Sequence, residues 1–425
     1  MQTPLYQRLY AKIKSEFSIK NNWDLSSEID LLLDFKASND ANFSLLYSWI
    51  KNYCKAVDLP FSLFIQTLKE ENILEWDKME LNQSEFPLKI KYPNHAVELV
   101  TELHIQLFQS IETHSKPEFK SYVFNDAEKH IQFLEQSIQT DSIILFNEYI
   151  AWANTMLNAL NISTETLIRF LVSIRMVYDC NGLSKEVEYL DGGIQLLIGG
   201  NVTSATSEYS FTITDESKKY LELLLSKERN TAKNFILELA DSGMDIRAIF
   251  LDIFQASQYE LGRLWELNKI TIAQEHYCTA ATQTFMAMLT ARIVPAKMNG
   301  KKVIATCVGT EQHEMGIRIV NDFLEMEGWD AYYLGANVPL EAIILSIKDH
   351  QPDLLALSVT LTPHVKQVIE IIKQVKNIFP SIKILVGGYP FLRDNRLANK
   401  IGADGIALDA KKAPAIAWEL VTKIG

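Results

Sequence analysis

The feature that most constrains this chain is a regular alternation of apolar runs and helical segments after Asn299-Gly300. The runs are short and rich in β-branched residues, and they cover 302–308, 331–334, 353–359, 382–386 and 404–408. Strand and helix patterns that alternate in this way predict a parallel sheet with helices on both faces. We therefore expect residues 300–425 to form a doubly wound α/β domain.

The chain before this region has helical periodicity. Apolar residues recur at intervals of three and four in the segments 42–57, 94–113, 117–139, 141–160 and 163–178. This pattern predicts an all-helical domain over residues 1–197. Glycine pairs and small polar residues between Gly192 and Ser210 interrupt the periodicity, which places a linker at 198–213.

A second helical block follows, and it predicts a four-helix bundle over residues 214–296. One face carries the apolar residues of an amphipathic helix, namely Ile246, Ile249, Phe250, Ile253, Phe254, Leu261 and Leu264. Thr271 and Gln274 have the spacing of a capping box, so the last helix begins there and runs to about Arg292.

Composition excludes several classes of function. The 41 basic and 53 acidic residues give a net charge of −12 without a basic run, which disfavours nucleic-acid binding. The four cysteines are scattered, with neither metal-ligand spacing nor the density of a disulfide framework: Cys54, Cys180, Cys278 and Cys307. A polar N-terminal stretch and the absence of a window of about 18 apolar residues indicate neither secretion nor membrane insertion. We expect a cytoplasmic protein.

A histidine lies in the loop after the first predicted strand. The strand VIATCVG leads into Glu311-Gln312-His313-Glu314-Met315-Gly316. Ser358-Val359-Thr360 and Gly387-Gly388 follow at the ends of two later strands. Open α/β sheets bind ligands at the carboxyl ends of their strands. Each feature alone is typical of ordinary loops and turns, but together they predict one site.

This combination resembles the cobalamin-binding domains of methionine synthase, the mutases and corrinoid proteins, with their pattern D/E-x-H-x-x-G, S-x-L and G-G. The resemblance spans essentially all of 300–425 and implies a Rossmann-like (flavodoxin-like) domain. It implies that His313 binds cobalt from below, in place of the cofactor's own benzimidazole. Glu311, where aspartate is commoner, would orient the imidazole of His313.

The resemblance also implies a set of contacts with the displaced nucleotide tail. Ser358 would hydrogen-bond the benzimidazole, and Gly387 with Gly388 would line the tail's cleft. Thr360 stands where the pattern has leucine, which adds a hydroxyl to this slot. Gly316 would let its helix begin close to the corrin ring.

Two further segments resemble parts of known cobalamin-binding proteins. The loop 334–339, which includes Val338, resembles the loop that borders the cobalamin pocket. In the bundle, Trp265 is separated by nine residues from Glu275-His276. This W-x9-E-H spacing resembles the bundle of adenosylcobalamin photoreceptors.

That resemblance implies three roles on the upper face of the corrin. Trp265 would pack on the adenosyl group, Glu275 would accept hydrogen bonds from its ribose, and His276 would bind cobalt once the alkyl group leaves. Tryptophan is also common as core filling, and glutamate is common in the first turn of a helix.

The resemblance implies a light-sensing photoreceptor, not an enzyme, in which cleavage of the cobalt–carbon bond changes the quaternary or domain arrangement. A light-dependent homo-oligomer or a signalling partner protein would receive the change. A corrinoid methyl-carrier protein of a methyltransferase system is the alternative, because it joins the same two domains. A mutase is disfavoured, because no barrel of about 250 residues accompanies the domain.

The long helical region before the bundle resembles that of the photocobilins, which add biliverdin as a second chromophore. Candidate bilin contacts are the cations and histidines of this region: Arg169, Arg175, His104, His114 and His130. A purely structural dimerisation domain is the alternative for the whole region.

Overall fold

The computed structural model describes residues 42–56, 88–92, 94–108, 119–200, 213–293 and 296–423. The chain divides into two compact units. The first comprises Met1–Ile138 with Phe146–Thr203, and the second comprises Gln139–Leu145 with Ser204–Gly425. Among the described helices, none combines the length and hydropathy needed to cross a membrane.

The first unit is helical, as the periodicity predicts. Its described helices are α1 (Asn42–Ala56), α2 (His95–Phe108), α3 (Phe119–Gln139), α4 (Ile143–Ala159), α5 (Thr164–Cys180) and α6 (Ser184–Ile198). Buried aliphatic and aromatic residues from these helices, including Trp49, Phe108 and Phe146, form one core. Every residue of α5 from Leu167 to Tyr178 is buried, because this helix lies at the centre of the unit.

The glycine pair at the end of this unit does not end the helical region. Helix α6 continues through Gly192 and Gly193 to Ile198. A Cβ on Gly193 would lie 3.0 Å from Phe146 Cε1, so the missing side chain allows close packing between α6 and α4. Residues 201–212 of the predicted linker lie outside the described residues.

The second unit contains the predicted helical bundle, which we call the cap. Its helices are α7 (Asp215–Leu225), α8 (Arg229–Asp241), α9 (Ile246–Ala248, Ile249–Gln255 and Ala256–Glu266) and α10 (Ile272–Thr290). The predicted capping box is confirmed: Thr271 Oγ1 accepts from the backbone N–H of Gln274, and Gln274 Oε1 accepts from that of Thr271.

The middle of α9 is a π-helix over Ile249–Gln255. It carries Ile249, Phe250, Ile253 and Phe254 into the core of the cap, where all four are fully buried. The apolar spacing predicts the buried face of α9 correctly, but it does not distinguish a π-helical segment from regular α-helix.

The α/β part of the second unit confirms the predicted architecture. Its strands are β1 (Lys302–Cys307), β2 (Asp330–Gly335), β3 (Leu354–Ser358), β4 (Lys383–Gly387) and β5 (Gly405–Ala407). Its helices are α11 (Met315–Met326), α12 (Leu340–His350), α13 (Val365–Ile378), α14 (Tyr389–Arg393), α15 (Leu397–Lys400) and α16 (Ala413–Thr422). All strand pairs are parallel, in the order β2-β1-β3-β4-β5. This is the flavodoxin-like order, in which ligands bind where the order reverses, between β1 and β3.

Helix α11 belongs to two cores. Ile317 and Leu324 pack with the sheet, whereas Ile319 and Phe323 pack with the apolar residues of the cap. Since α11 begins directly after the predicted site loop, the same helix connects that loop to both the sheet and the cap.

Candidate functional site

The site is organised around a buried carboxylate in the loop between β1 and α11. Only 1% of the Glu311 side chain is exposed. Its Oε1 accepts the backbone N–H of Thr360 at 2.5 Å, and its Oε2 accepts that of Leu361 at 2.8 Å. Thr360 and Leu361 lie just beyond β3, so Glu311 joins the two loops at the reversal of the strand order.

This environment keeps Glu311 anionic. Burial raises the pKa of its carboxyl, but the imidazoles of His313 and His364 and the N–H groups of Thr360 and Leu361 outweigh burial and hold the pKa at about 2. A buried anion of this kind attracts and orients imidazole groups.

Two histidines lie beside the same oxygen of Glu311. His313 Nδ1 is 3.6 Å and His364 Nδ1 is 3.4 Å from Glu311 Oε2. They differ in accessibility, because the side chain of His313 is 57% exposed and that of His364 is 15% exposed. Of the two imidazoles, that of His313 is therefore the one more accessible to a ligand, and its role as a cobalt ligand stays a prediction.

His364 and Gly309 are site residues that the sequence interpretation did not single out. Gly309 has φ +92°, and a Cβ on it would lie 2.5 Å from His364 Cγ. His364 Nε2 lies 3.5 Å from Thr310 Oγ1. The ring of His364 thus packs on a backbone position that only glycine can supply. A histidine six residues after Ser358 is the available sequence signal, but spacing alone does not connect it to Glu311.

The strand ends bring several predicted residues together. Ser358 is paired with Cys307 on β1 and with Gly387 on β4, so these residues form one row at the carboxyl edge of the sheet. Gly316 is exposed, and a Cβ there would meet nothing within 4 Å. That open position is compatible with the close approach of a ligand to the start of α11.

The glycine pair after β4 has a structural function as well. Gly388 has φ +103°, and a Cβ on it would lie 1.9 Å from the carbonyl oxygen of Val359. A Cβ on Gly387 would lie 2.9 Å from the carbonyl oxygen of Ala407. Both glycines are required by the approach of neighbouring strand ends, whether or not they also line a cleft.

A cavity of about 310 Å³ lies next to the loop after β1. Its walls include Gly309, Thr310, Val338 and the start of α12. Val338, which the sequence places at the border of the pocket, therefore lines a space beside the His313 loop.

The three cap residues predicted for the upper face are at helix ends. Trp265 is close to the end of α9, and 36% of its surface is exposed. Glu275 and His276 are in the first turns of α10, where His276 Nδ1 lies 2.5 Å from Glu275 Oε2. Glu275 Oε1 also accepts the Thr279 hydroxyl at 2.9 Å. The side chain of His276 is 69% exposed, so a ligand can reach it.

One exposed imidazole beside a buried carboxylate is a donor set that fits a corrin. Among the described residues, no group of three or more His, Cys, Asp or Glu side chains is arranged to hold a metal. A corrin ring already supplies the equatorial nitrogens of cobalt, so one exposed imidazole oriented by a carboxylate is an adequate protein contribution.

The comparisons with known proteins agree with this geometry. Residues 301–417 match the profile of a family described as "B12 binding domain", and residues 217–290 match a second profile with the same description. Residues 301–417 form a B12-binding domain. The cap corresponds to the second profile, so the B12-binding domain and its helical cap are both present in the second unit.

Among its relatives, the chain is 28% identical to dimethylamine corrinoid protein 1 of Methanosarcina acetivorans over 192 residues, which is 44% of this chain and 88% of the relative. It is 26% identical to trimethylamine corrinoid protein 1 of the same organism over 196 residues, 43% of this chain and 90% of the relative. The monomethylamine corrinoid protein of Methanosarcina barkeri gives a TM-score of 0.45 at 20% identity, covering 48% of this chain and 98% of that structure.

These relatives overturn the predicted light-sensing function. Two of these relatives are named as dimethylamine and trimethylamine corrinoid proteins, which agrees with the methyl-carrier alternative. The W-x9-E-H spacing was the basis of the photoreceptor prediction, and it is too short a pattern to separate the two families. Light-dependent rearrangement, adenosyl binding and cobalt ligation by His276 after photolysis were parts of that light-sensing prediction, and the relatives give them no support.

The candidate bilin contacts in the first unit have internal partners. The guanidinium of Arg175 donates to Asp191 at 2.6 and 3.2 Å and to Asn52 at 2.8 Å. The ring of His130 lies 2.7 Å from the Tyr149 hydroxyl, and burial lowers the pKa of His130 to about 3.

Two of the remaining bilin candidates also have internal contacts, and the third lies outside the described residues. His104 Nδ1 lies 3.4 Å from Ser173 Oγ, and Arg169 lies over the ring of Phe108. His114 lies outside the described residues. These contacts are those of a packed helical core, and biliverdin binding was part of the light-sensing prediction that the relatives contradict.

Proposed function

We propose that this chain is a corrinoid protein that carries a methyl group within a methyltransferase system. The observation that carries the proposal is the match to methylamine corrinoid proteins over 88% and 90% of their lengths. Nearly a whole corrinoid protein of that kind thus corresponds to less than half of this chain. A bound corrin would supply the chemistry, which is the transfer of a methyl group to a nucleophile, and the residues of this chain would hold and orient that cofactor.

The residues of the B12-binding domain would hold the cofactor from below. His313 would bind the cobalt, because its side chain is 57% exposed while its Nδ1 lies 3.6 Å from the buried carboxylate of Glu311. Glu311 would keep the other ring nitrogen of His313 available for cobalt. Ser358, at the edge of the sheet between Cys307 and Gly387, would contact the displaced tail.

The cap would cover the other face of the corrin. We assign Trp265, Glu275 and His276 to that face because they are partly or largely exposed at the ends of α9 and α10. The remainder of the site would be lined by other residues that the sequence predicts for it: Gly316, Val338, Thr360 and Gly388.

The donor and acceptor of the methyl group would be bound by a partner methyltransferase, while this chain moves the group between sites. We further propose the domain limits 1–197, 214–296 and 300–425, with 198–213 as the linker, and a homo-oligomer assembled through the helical domain. The helical domain would then serve assembly or partner contact, not catalysis.

The test uses the full chain loaded with cobalamin and reduced with titanium(III) citrate. Methyl iodide carrying a labelled methyl group is added, and after desalting the label retained per protein is counted. A thiol nucleophile is then added, and the methylated thiol is measured. We expect about one labelled methyl group per bound cobalamin, released to the thiol in the second step.

His313→Ala is the matched variant for the axial ligand, and Gln312→Ala, at the exposed neighbouring position, is its control. We expect His313→Ala to weaken cobalamin binding and to remove the histidine nitrogen coupling from the electron paramagnetic resonance spectrum of the protein loaded with cob(II)alamin. Retention of that coupling would exclude His313 as the ligand. Failure of the parent protein to take up label would exclude the methyl-carrier function.

A further inference from the structure

Glu314 directly follows His313, and its carboxylate has partners on two different elements. Gln283 Nε2, on cap helix α10, donates to Glu314 Oε1 at 3.1 Å. The Tyr333 hydroxyl, on β2, donates to Glu314 Oε2 at 2.9 Å. Each carboxylate oxygen therefore connects the site loop to a separate part of the second unit.

These contacts are partly shielded from water. Gln283, Glu314 and Tyr333 are all of intermediate burial. Burial, followed by the hydrogen bond and the charge of Glu314, raises the pKa of Tyr333, so its hydroxyl stays protonated and continues to donate. Hydrogen bonds to an ionised acceptor are stronger than those between neutral groups.

Further contacts between the cap and α11 lie away from His313. Arg247 of α9 pairs with Glu327 just beyond the other end of α11, at 2.7 Å. The Thr290 hydroxyl donates to Asp322 at 3.2 Å in the last part of α11. These contacts attach the cap to the helix, whereas the Gln283–Glu314 contact attaches it to the residue next to the proposed cobalt ligand.

We propose that Glu314 is a positioning residue that couples the placement of the cap to the placement of His313. Gln283 holds Glu314 from the cap, Tyr333 holds it from the sheet, and the peptide bond transmits its position to His313. If α10 moved away from the α/β domain, Glu314 would keep the contact to Tyr333 and lose the one to Gln283. The loop between β1 and α11 would then be held from the sheet but not from the cap. The role of His313 in this proposal rests on the proposed function, whereas the contacts of Glu314 with Gln283 and Tyr333 do not.

The test compares Gln283→Ala, which removes the cap contact, with Tyr333→Phe, which removes the sheet contact. Arg247→Ala is the matched control, because it removes a cap contact at the far end of α11. The full chain of each is loaded with cob(II)alamin, and the fraction of cobalt with histidine nitrogen coupling is measured by electron paramagnetic resonance. We expect Gln283→Ala and Tyr333→Phe to weaken cob(II)alamin binding by about threefold to tenfold and to lower that fraction. Arg247→Ala should leave both quantities at the parent value.

A charge exchange tests the pair itself. Gln283→Glu places a second carboxylate against Glu314 and should lower the histidine-bound fraction more than Gln283→Ala does. Adding Glu314→Gln to that variant reverses the donor and acceptor types and should restore the fraction toward the parent value. Additive losses in the double variant would overturn the proposed pairing.

Hydrogen exchange without cofactor separates this proposal from the proposed function. In the cobalamin-free chain, we expect Gln283→Ala to speed exchange of the amides at 309–316, and Arg247→Ala to leave them unchanged. Faster exchange together with a failed methyl-uptake experiment would retain the coupling and reject the carrier function. Unchanged exchange and an unchanged histidine-bound fraction in Gln283→Ala would reject the coupling.

Discussion

The carboxylate of Glu311 lies 2.5 Å from the backbone nitrogen of Thr360, so an acidic side chain of one loop is bound to the main chain of another. The two loops leave the sheet from β1 and β3, on either side of the reversal in strand order. Glu311 therefore fixes the separation of the loops as well as the orientation of His313.

Glu311→Gln tests that double function. The glutamine has the same length, but its amide nitrogen cannot accept the N–H groups of both Thr360 and Leu361, and it carries no charge to orient His313. We expect cobalamin affinity to fall by about 10-fold to 100-fold, the usual cost of losing a carboxylate behind a metal-binding histidine. Equilibrium dialysis measures the affinity, with Gln312→Ala as control. An affinity within a factor of about two of the parent would contradict this role.

Gly309→Ala tests the packing of His364. The alanine would adopt a left-handed backbone at φ +92° and place its Cβ 2.5 Å from the His364 ring. Gly300→Ala is the control, because Gly300 has φ +80° but a Cβ on it would meet nothing within 4 Å. We expect Gly309→Ala to lower the free energy of unfolding by roughly 1–3 kcal/mol more than Gly300→Ala does. Native-state hydrogen exchange of the α13 amides gives both values, and equal effects would show that His364 moves aside freely.

Asp322 predicts a dependence of stability on pH. Burial raises the pKa of its carboxyl from 3.8 to about 6, against the opposing charge of Arg318 and the hydrogen bond from Thr290. The folded protein binds this proton more tightly than the unfolded chain, so the group lowers stability as the pH rises from about 4 to about 6. The full loss is on the order of 1–3 kcal/mol above that range.

Asp322→Asn removes the titrating proton and should therefore be more stable than the parent at pH 7.5 and nearly equal to it at pH 4. The measurement is the difference in thermal unfolding between the two proteins across that range, in which the other titrating groups cancel. A difference that does not change with pH would show that Asp322 has an ordinary pKa in the folded protein.

Replacing Arg175 tests the interpretation that this residue stabilises the core of the helical unit. Its side chain is fully buried and pairs with Asp191 and Asn52. Arg175→Ala leaves Asp191 and Asn52 without that partner; because the side chain of Asp191 is 36% exposed, water replaces part of the lost contact, and we expect a loss of about 1–3 kcal/mol in the unfolding free energy of this unit. Lys55→Ala, which removes an exposed pair with Asp179 at 3.8 Å, should cost at most about 1 kcal/mol. Hydrogen exchange of the α5 amides measures both, and a mild effect of Arg175→Ala would contradict the assigned pairing.

The fold was predictable from the sequence because its signals are local. The β-branched runs predict the five strands to within a residue or two, and the spacing of Thr271 and Gln274 predicts the start of α10. Gly193 was misleading as a helix breaker, because its effect depends on Phe146, a residue distant in sequence whose ring lies 3.0 Å from where a Cβ would be.

The part of the site that is local in sequence was predictable, and the part that depends on the fold was not. Glu311 and His313 are two residues apart, so their contact follows from the sequence, whereas the contact of Glu311 with His364 requires the fold. Glu314 is adjacent to His313, but Gln283 comes from another helix and Tyr333 from another strand. The prediction of function was wrong for a different reason. A short pattern of Trp, Glu and His does not specify which group is bound on the upper face of the corrin.

The π-helical segment of α9 limits how this cap can be exchanged with others. Such a segment takes in an additional residue without adding a regular turn, and one residue corresponds to about 100° of rotation around a helix axis. If Ile246–Glu266 were replaced by a regular helix of equal length, Trp265 would face another direction while every residue kept its number. Sequence alignment without gaps would therefore assign the wrong partner residue beyond Gln255 in any relative whose corresponding helix is regular.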